Sequence, residues 1–433
     1  NTDEVMGEAI GFSFIYSGNF RIQAEVDTHD ITRITVGINP DGFDWELKPG
    51  ENFQTPEAVM VYSDNGLNEM SQTFHKLYAK RLARGYWRDR SRPILNNNWE
   101  ATYFDFTEER LVKIAKKAKE CGIELFVLDD GWFGNRRSDR AGLGDWIANK
   151  KLLPNGIEGL AERIEELGMQ FGLWIEPEMI NKDSNLYRLH PDWILQTPGR
   201  TDSHGRYQYV LDFSRREIVD YIYTMIAKIL SEAKISYIKW DMNRSITECY
   251  SIAYPAEQQG EIFHRYILGV YDLYERLTSK FPKVLFESCA SGGGRFDPGM
   301  LYYAPQGWTS DDSDAIERLK IQYGTSMCYP ISSIGSHVFR NTPLHTRANV
   351  AYFGTFGYEL DLNKLSDSEI EEVKAQILFM KKYRQMLQFG TFYRLKSPFE
   401  GNETIWMVVN EEKTTALVGY YRVLNGVNMP YSR

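Results

Sequence analysis

Tyr237-Ile-Lys-Trp-Asp-Met-Asn-Arg244 is an apolar and aromatic run that stops on an aspartate. That is the pattern of a buried parallel strand where it meets its loop. Gly307-Trp-Thr-Ser-Asp-Asp-Ser-Asp314 repeats it. One acid at the end of each of two strands holds two carboxylates across a cleft if both strands belong to one parallel barrel, where chemistry sits at the C-terminal strand ends. Such a pair suits glycoside hydrolysis, in which one carboxylate attacks the sugar and a second carboxylic acid protonates the leaving oxygen.

Outward from these two segments, strands and amphipathic helices alternate between about 93 and 385, which predicts parallel βα units. Strands are expected over 93–99, 124–130, 170–177, 236–241, 284–289, 307–310, 328–332 and 358–360. Helices are expected from Thr107 to Gly122 and over 157–167, 215–231, 261–280, 314–325, 344–354 and 366–388. Ser214 with Glu217, and Ser366 with Glu369, have the spacing of capping boxes, and Gly122 reads as a helix stop. Eight units fit an α/β chain folded as a (β/α)8 TIM barrel. The segment from 177 to Asp212 is far longer than an ordinary connection, which points to function.

Residues 1–65 alternate with period 2 over 11–17, 21–26 and 32–36, with a turn at Asn39-Pro-Asp-Gly42, and a helix is expected near 66–83. Strand alternation returns over 404–409 and 415–421. The expected organisation is a barrel flanked by partial β-sandwich domains at both ends: 1–88 the end of an N-terminal β-sandwich plus a linker helix, 89–388 the catalytic barrel, and 389–433 the start of a C-terminal β-domain. Asn1 is not a methionine and Tyr431-Ser432-Arg433 follows a strand-like stretch, so the chain is expected to be a fragment of a longer protein.

A net charge of −9 argues against a nucleic-acid partner, which requires a basic face. No apolar run approaches the ~18–20 residues of a membrane span. Cys121, Cys249, Cys289 and Cys328 are widely spaced with no CxxC pair, so a reducing, cytoplasmic compartment is expected rather than a disulfide framework. The seven histidines show no metal-ligand spacing. Neither metal nor cofactor is expected. Asn243-Arg-Ser245 is formally a glycosylation sequon beside the candidate nucleophile, which favours a bacterial or cytosolic setting.

Strand ends supply the chemistry: Trp99, Asp129, Asp130, Trp174, Glu176, Lys239, Asp241, Asn243, Cys289 and Asp311. Lys239 and Asp241 share one face of their strand. If that face is the barrel interior, the ammonium lies beside the carboxylate and keeps it ionised, as a nucleophile requires. The same spacing fits a structural ion pair. Asp311, Asp312 and Asp314 repel one another, which favours a raised pKa and a general acid among them. Asp314 suits the first turn of the following helix, and the residues alone do not choose between the other two. Asp129-Asp130-Gly-Trp132 offers carboxylates for sugar hydroxyls and a flat apolar wall, with Trp99 and Trp174 as further walls. Ser291-Gly-Gly-Gly-Arg295 lacks the spacing of a phosphate loop, and its glycines permit close backbone approach to a ligand. Arg206 lies in the turn-rich Thr201-Asp-Ser-His-Gly-Arg206, from which it could reach a hydroxyl.

Together, Leu128-Asp-Asp-Gly-Trp-Phe133, Gly172-Leu-Trp-Ile-Glu-Pro-Glu178, Lys239-Trp-Asp-Met-Asn-Arg244, Cys289-Ala-Ser-Gly-Gly-Gly-Arg295 and Trp308-Thr-Ser-Asp-Asp312 resemble the motifs of glycoside hydrolase family 36, the bacterial-type α-galactosidases acting on raffinose-type sugars. The resemblance implies a retaining double displacement on terminal α-galactose of oligosaccharides such as melibiose or raffinose, with Asp241 as nucleophile and Asp311 as acid/base. It further implies Asp129 and Asp130 on O4 and O6 of galactose, Trp174 stacking, Trp99 lining the site, Arg206, Lys239 and Asn243 as polar contacts, and Cys289 with Gly292 facing O2. A homotetramer is implied for the intact protein. Two alternatives stand beside this: a galactosyltransferase of the raffinose-synthase kind, and a galactoside-binding barrel without turnover.

Overall fold

The computed structural model describes residues 2–339 and 342–425. Four N-terminal strands, β1 (Ala9–Ile15), β2 (Phe20–Val26), β3 (Thr32–Ile38) and β4 (Glu57–Ser63), form two antiparallel pairs, β1 with β4 and β2 with β3. The helix Gly66–Leu77 follows, widening into a π-helical end at Tyr78–Leu82.

The chain then alternates as expected. Its strands are β5 (Leu95–Asn97), β6 (Leu125–Leu128), β7 (Gln170–Ile175), a short ribbon of β8 (Met179–Ile180) with β9 (Tyr209–Val210), and then β10 (Tyr237–Trp240), β11 (Leu285–Ser288), β12 (Gln306–Trp308), β13 (Ile334–Val338) and β14 (Thr355–Tyr358). All but the ribbon join in chain order into a closed parallel barrel, sealed by β14 against β5. A three-stranded antiparallel sheet, β15 (Thr391–Lys396), β16 (Glu403–Val409) and β17 (Ala416–Arg422), ends the described chain. Residues 426–433, and with them Tyr431-Ser432-Arg433, lie outside the described residues.

Alternation along the strands sorts side chains between two apolar layers. In β10, Ile238 and Trp240 join the large cluster between strands and helices, whereas Tyr237 joins Leu95, Leu125, Val127 and Leu285 inside the barrel. Lys239 lies opposite Trp174 of β7 and Glu287 of β11. The inward face of β10 therefore carries Tyr237, Lys239 and then Asp241 toward the C-terminal mouth.

Helix caps follow the sequence in two places. Thr107 accepts from Arg110 N and Gly122 closes the helix Glu108–Cys121 at φ 96. Ser366 and Glu369 form a full capping box on Asp367–Phe389. Ser214 and Glu217 do not. The helix Arg216–Glu232 has Arg215 at its N-cap with no side-chain cap bond, because the Ser214 hydroxyl is drawn to Asp212 and the Glu217 carboxylate to Arg215 Nε at 2.8 Å. Two strands are displaced from their expected positions. Residues 328–332 lead into a 3-10 turn, Ile331–Ser333, after Pro330, and the seventh barrel strand begins only at Ile334. The eighth ends at Tyr358, so Glu359 stands at its mouth. The long segment before Asp212 holds β8, the helix Asn185–Leu189 and β9.

Among the described residues no helix is long and apolar enough to cross a membrane. A groove of about 810 Å³ near Trp87, Glu124, Gly168 and Arg384 lies at the N-terminal end of the barrel, away from the strand-end carboxylates.

Candidate active site

Asp241 follows β10 directly and is buried, its backbone N–H donating to Ile175 O at 2.8 Å. Its Oδ2 accepts from Trp174 Nε1 at 3.1 Å and Asn243 Nδ2 at 2.7 Å, and its Oδ1 accepts from Met242 N at 2.8 Å. These donors fix the orientation of the carboxylate. Lys239 does not pair with Asp241 as the shared strand face suggested. Its ammonium bonds Asp129 Oδ2 at 3.0 Å, with Asp241 a weaker electrostatic neighbour. Residues i and i+2 on a strand project in parallel, whereas β6 brings the Asp129 carboxylate in from the side of the barrel.

Asp311 stands beyond β12, with Oδ1 accepting from Trp308 Nε1 at 3.1 Å. Solvent reaches it from the open mouth, but protein on the other sides strips part of its hydration. That loss, with the negative charge of Asp241 next, pushes its pKa up against the opposing Lys239 and Trp308 N–H. The two acids thus sense each other across the mouth. Asp314 is the helix cap the sequence suggested, accepting from Ile316 N and Glu317 N, and Asp312 is exposed, accepting from Asp314 N at 3.1 Å.

Glycines set this gap. Gly292, at φ +81, bridges Ser310, and a Cβ there would lie 2.5 Å from Asp311 N. A Cβ on Gly293 would lie 2.2 Å from Thr309 O. The loop after β11 therefore packs backbone to backbone against the strand end that carries Asp311.

Opposite lie Asp129 and Asp130, both buried. Asp129 also accepts from Asn97 Nδ2 at 2.6 Å. Asp130 is gripped by the fork of Arg136, with Nε to Oδ1 at 2.9 Å and Nη2 to Oδ2 at 2.7 Å. Trp174 is 1% exposed and offers the cleft its N–H, while its ring stacks on Phe133. Trp99 is half-buried, edge-on to Tyr103 and Phe104. Asn243 accepts from Ser291 Oγ at 2.9 Å. Cys289 is buried against Trp308 and Phe339, and burial together with Asp241 and Asp311 holds its thiol well above the ordinary range. Arg206 is exposed on a turn of the loop after β7. Asp129, Lys239, Trp174, Asn243, Cys289 and Gly292 are thus gathered around Asp241 and Asp311, and Arg206 stands at the periphery.

Three charged groups escaped the sequence reading or were left without a role. Arg136 reads as a loop residue, yet it is 1% exposed. Glu176 is buried between Gln208 Nε2 and Asn243 N, and burial, then Asp241, raises its pKa to about 8. Glu359 pairs with His337 Nδ1 at 3.1 Å, burial raising it to about 8 while burial lowers His337 to about 3. The Tyr-Glu step at the end of the eighth strand is the signal that would have found Glu359. Among the described residues no group of His, Cys, Asp and Glu is arranged to hold a metal ion.

A closed parallel barrel with two carboxylates at the strand ends of its C-terminal mouth is the architecture of a barrel glycosidase. Residues 52–390 match the melibiase family model and residues 1–48 the glycosyl hydrolase family 36 N-terminal domain. The chain belongs to glycoside hydrolase family 36, the melibiase family. It is 59% identical over its whole length to the α-galactosidase AgaA of Geobacillus stearothermophilus, covering 60% of that protein. It is 52% identical over 98% of its length to the α-galactosidase Mel36A of Lactobacillus acidophilus, covering 59% of it. The crystal structure of a doubly substituted variant of AgaA in complex with raffinose superposes with a TM-score of 0.98 over 99% of this chain and 61% of that one. The chain spans about 60% of the length of the curated relatives it matches.

Proposed function

We propose that the protein is a retaining α-galactosidase. Asp241 attacks the anomeric carbon, Asp311 protonates the departing oxygen, and Asp311 then activates the water that releases galactose. The single observation that carries the reading is the unequal placement of the acids: Asp241 is buried at the end of β10 and held by side-chain N–H donors, whereas Asp311 stands at the open mouth beside it, where partial loss of hydration and the charge of Asp241 favour its protonated form. Asp129 and Asp130 receive the sugar hydroxyls, Lys239 and Asn243 steady the groups around the anomeric centre, Trp99 and Trp174 wall the pocket, Arg206 reaches in from the rim, and Cys289 with Gly292 faces O2. In a retaining site the two carboxyls stand roughly 5–5.5 Å apart. The family supports the galactose preference, and a relative bound to raffinose supports oligosaccharides as substrates.

The proposed units are 1–88, 89–388 and 389–433, and the order of the sheets among the described residues, with the barrel in the middle, supports that division. The intact protein is proposed to be a homotetramer. Its setting is proposed to be cytoplasmic, which suits four cysteines that are all unpaired.

The test is covalent trapping of the full-length protein with a fluorinated α-galactosyl reagent, followed by peptide mapping. The label is expected on Asp241. Label on another residue, or inversion at the anomeric carbon of the product, refutes the mechanism. Product analysis with an added sugar acceptor separates hydrolysis from galactosyl transfer.

A further inference from the structure

Asp130 and Arg206, two proposed sugar contacts, stand on different loops, after β6 and after β7. One buried side chain that no site assignment includes connects them. Asn181, just beyond β8, is fully buried. Its Oδ1 accepts from Arg136 Nη1 at 3.2 Å and from Leu143 N at 2.9 Å. Its Nδ2 donates to Asp139 O at 3.2 Å and to Tyr207 O at 2.9 Å. All four hydrogen-bonding positions of the amide are used, and two carbonyls on one side with two donors on the other leave a single possible orientation.

Each end of this connection holds something that would not stay in place alone. Arg136, itself 1% exposed, spends its fork on Asp130 and its remaining Nη1 on Asn181 and Ala141 O at 3.2 Å. Its aim depends on Asn181 because a guanidinium is planar and its N–H directions are fixed relative to one another. At the other end, Gln208 N bonds Gly205 O at 2.8 Å, so Arg206 and Tyr207 form the two central residues of a tight turn. Both have positive φ, 50 and 62, where asparagine and glycine are the favoured residues. An arginine and a tyrosine hold that geometry only where neighbouring groups impose it, and the bond from Asn181 to Tyr207 O is one such group.

We propose that Asn181, with Arg136, is a positioning residue that clamps the loops after β6 and β7 together, aiming Asp130 and Arg206 at one sugar. The clamp deepens the galactoside reading and rests on it. It acts on binding rather than on the reacting bond, so loss of Asn181 raises KM more than it lowers kcat.

In the full-length protein, Asn181→Ala is expected to raise KM for p-nitrophenyl α-galactoside and the inhibition constant of galactose about tenfold, the scale of one hydrogen bond to a charged group. Combined with Arg206→Ala, the two factors are expected to fall short of their product, as for residues acting through each other. A full product, or a fall in kcat with KM unchanged, overturns the clamp. If Arg206→Ala weakens galactose and Asn181→Ala does not, the sugar-site reading stands and the clamp alone falls. If Arg206→Ala leaves galactose inhibition unchanged, the reading fails at Arg206 and takes the clamp with it. Should Asn181→Ala not yield folded protein, Asn181→Asp keeps the volume, turns an oxygen against the Tyr207 and Asp139 carbonyls, and is read by the same measurements and criteria.

Discussion

At the residue scale, two carboxylic acids illustrate how environment decides protonation. Trp308 Nε1 donates to Asp311 and stabilises its charged form against partial loss of hydration and the charge of Asp241. Trp308→Phe removes that donor and keeps an aromatic ring, so the Asp311 pKa rises further and the acid stays protonated to higher pH. The alkaline limb of kcat/KM is expected to move upward, and an unmoved or lowered limb would exclude Asp311 as the general acid. Glu359 is raised from 4.5 to about 8, chiefly by burial. Between those values the folded protein keeps a proton that the unfolded chain releases. Its contribution to stability is therefore complete below pH 4.5 and is lost as pH rises through about 8. Glu359→Gln, which mimics the protonated acid, is expected to lose less thermal stability than the parent between pH 5 and pH 9. Glu176 has the same sign, so the slope is reduced rather than abolished. Parallel declines in the two proteins would show that Glu359 is not buried as a neutral acid.

At the element scale, the loop after β11 is held by contacts between backbones. Gly293 has its Cα facing Thr309 O so closely that no side chain fits, and a backbone carbonyl cannot rotate away as a side chain could. Gly293→Ala must push the loop and the Asp311 strand end apart. A displacement near 1 Å costs on the order of 100-fold in rate where catalysis depends on placement. The expectation is a loss of that order in kcat/KM with the circular dichroism spectrum intact. Activity within about threefold of the parent would mean the gap is set elsewhere, since that is under 1 kcal/mol in transition-state stabilisation.

At the scale of the whole molecule, a buried ion pair joins several units beneath the mouth. Arg295, after β11, bonds Glu178 through both terminal nitrogens at 2.8 and 2.6 Å. Glu178, after β7, also accepts from Trp240 Nε1 of β10 at 2.8 Å and from Tyr266 OH of the helix Ile262–Lys280 at 2.6 Å. Arg295 and the other donors hold the Glu178 pKa below its ordinary value despite complete burial. Arg295→Met strands that carboxylate without its cation, and breaking a buried pair from one side costs about 3–5 kcal/mol. Chemical denaturation is expected to show a loss of that size. A change below about 1 kcal/mol would place the pair among the weak ones typical of surfaces.

The barrel was legible in the sequence because its determinants are local. Apolar runs of strand length, amphipathic helices between them, and caps such as Thr107, Gly122 and Ser366 each act within a few residues. The same local signals misled where a residue found a better distant or neighbouring partner, as Ser214 did in Asp212. Asp241 at the end of β10 was also legible, since a strand end is a position in the chain, whereas after β12 the residues alone left Asp311 and Asp312 side by side until the family motif separated them. What tertiary structure alone decided was the pairing of charges. Lys239 turned to Asp129 rather than Asp241, Arg136 was drawn into a buried grip on Asp130, and Glu359 was buried beside His337. Those outcomes depend on which strands closure of the barrel sets side by side and on how much water closure excludes, and neither quantity is a property of any stretch of sequence read by itself.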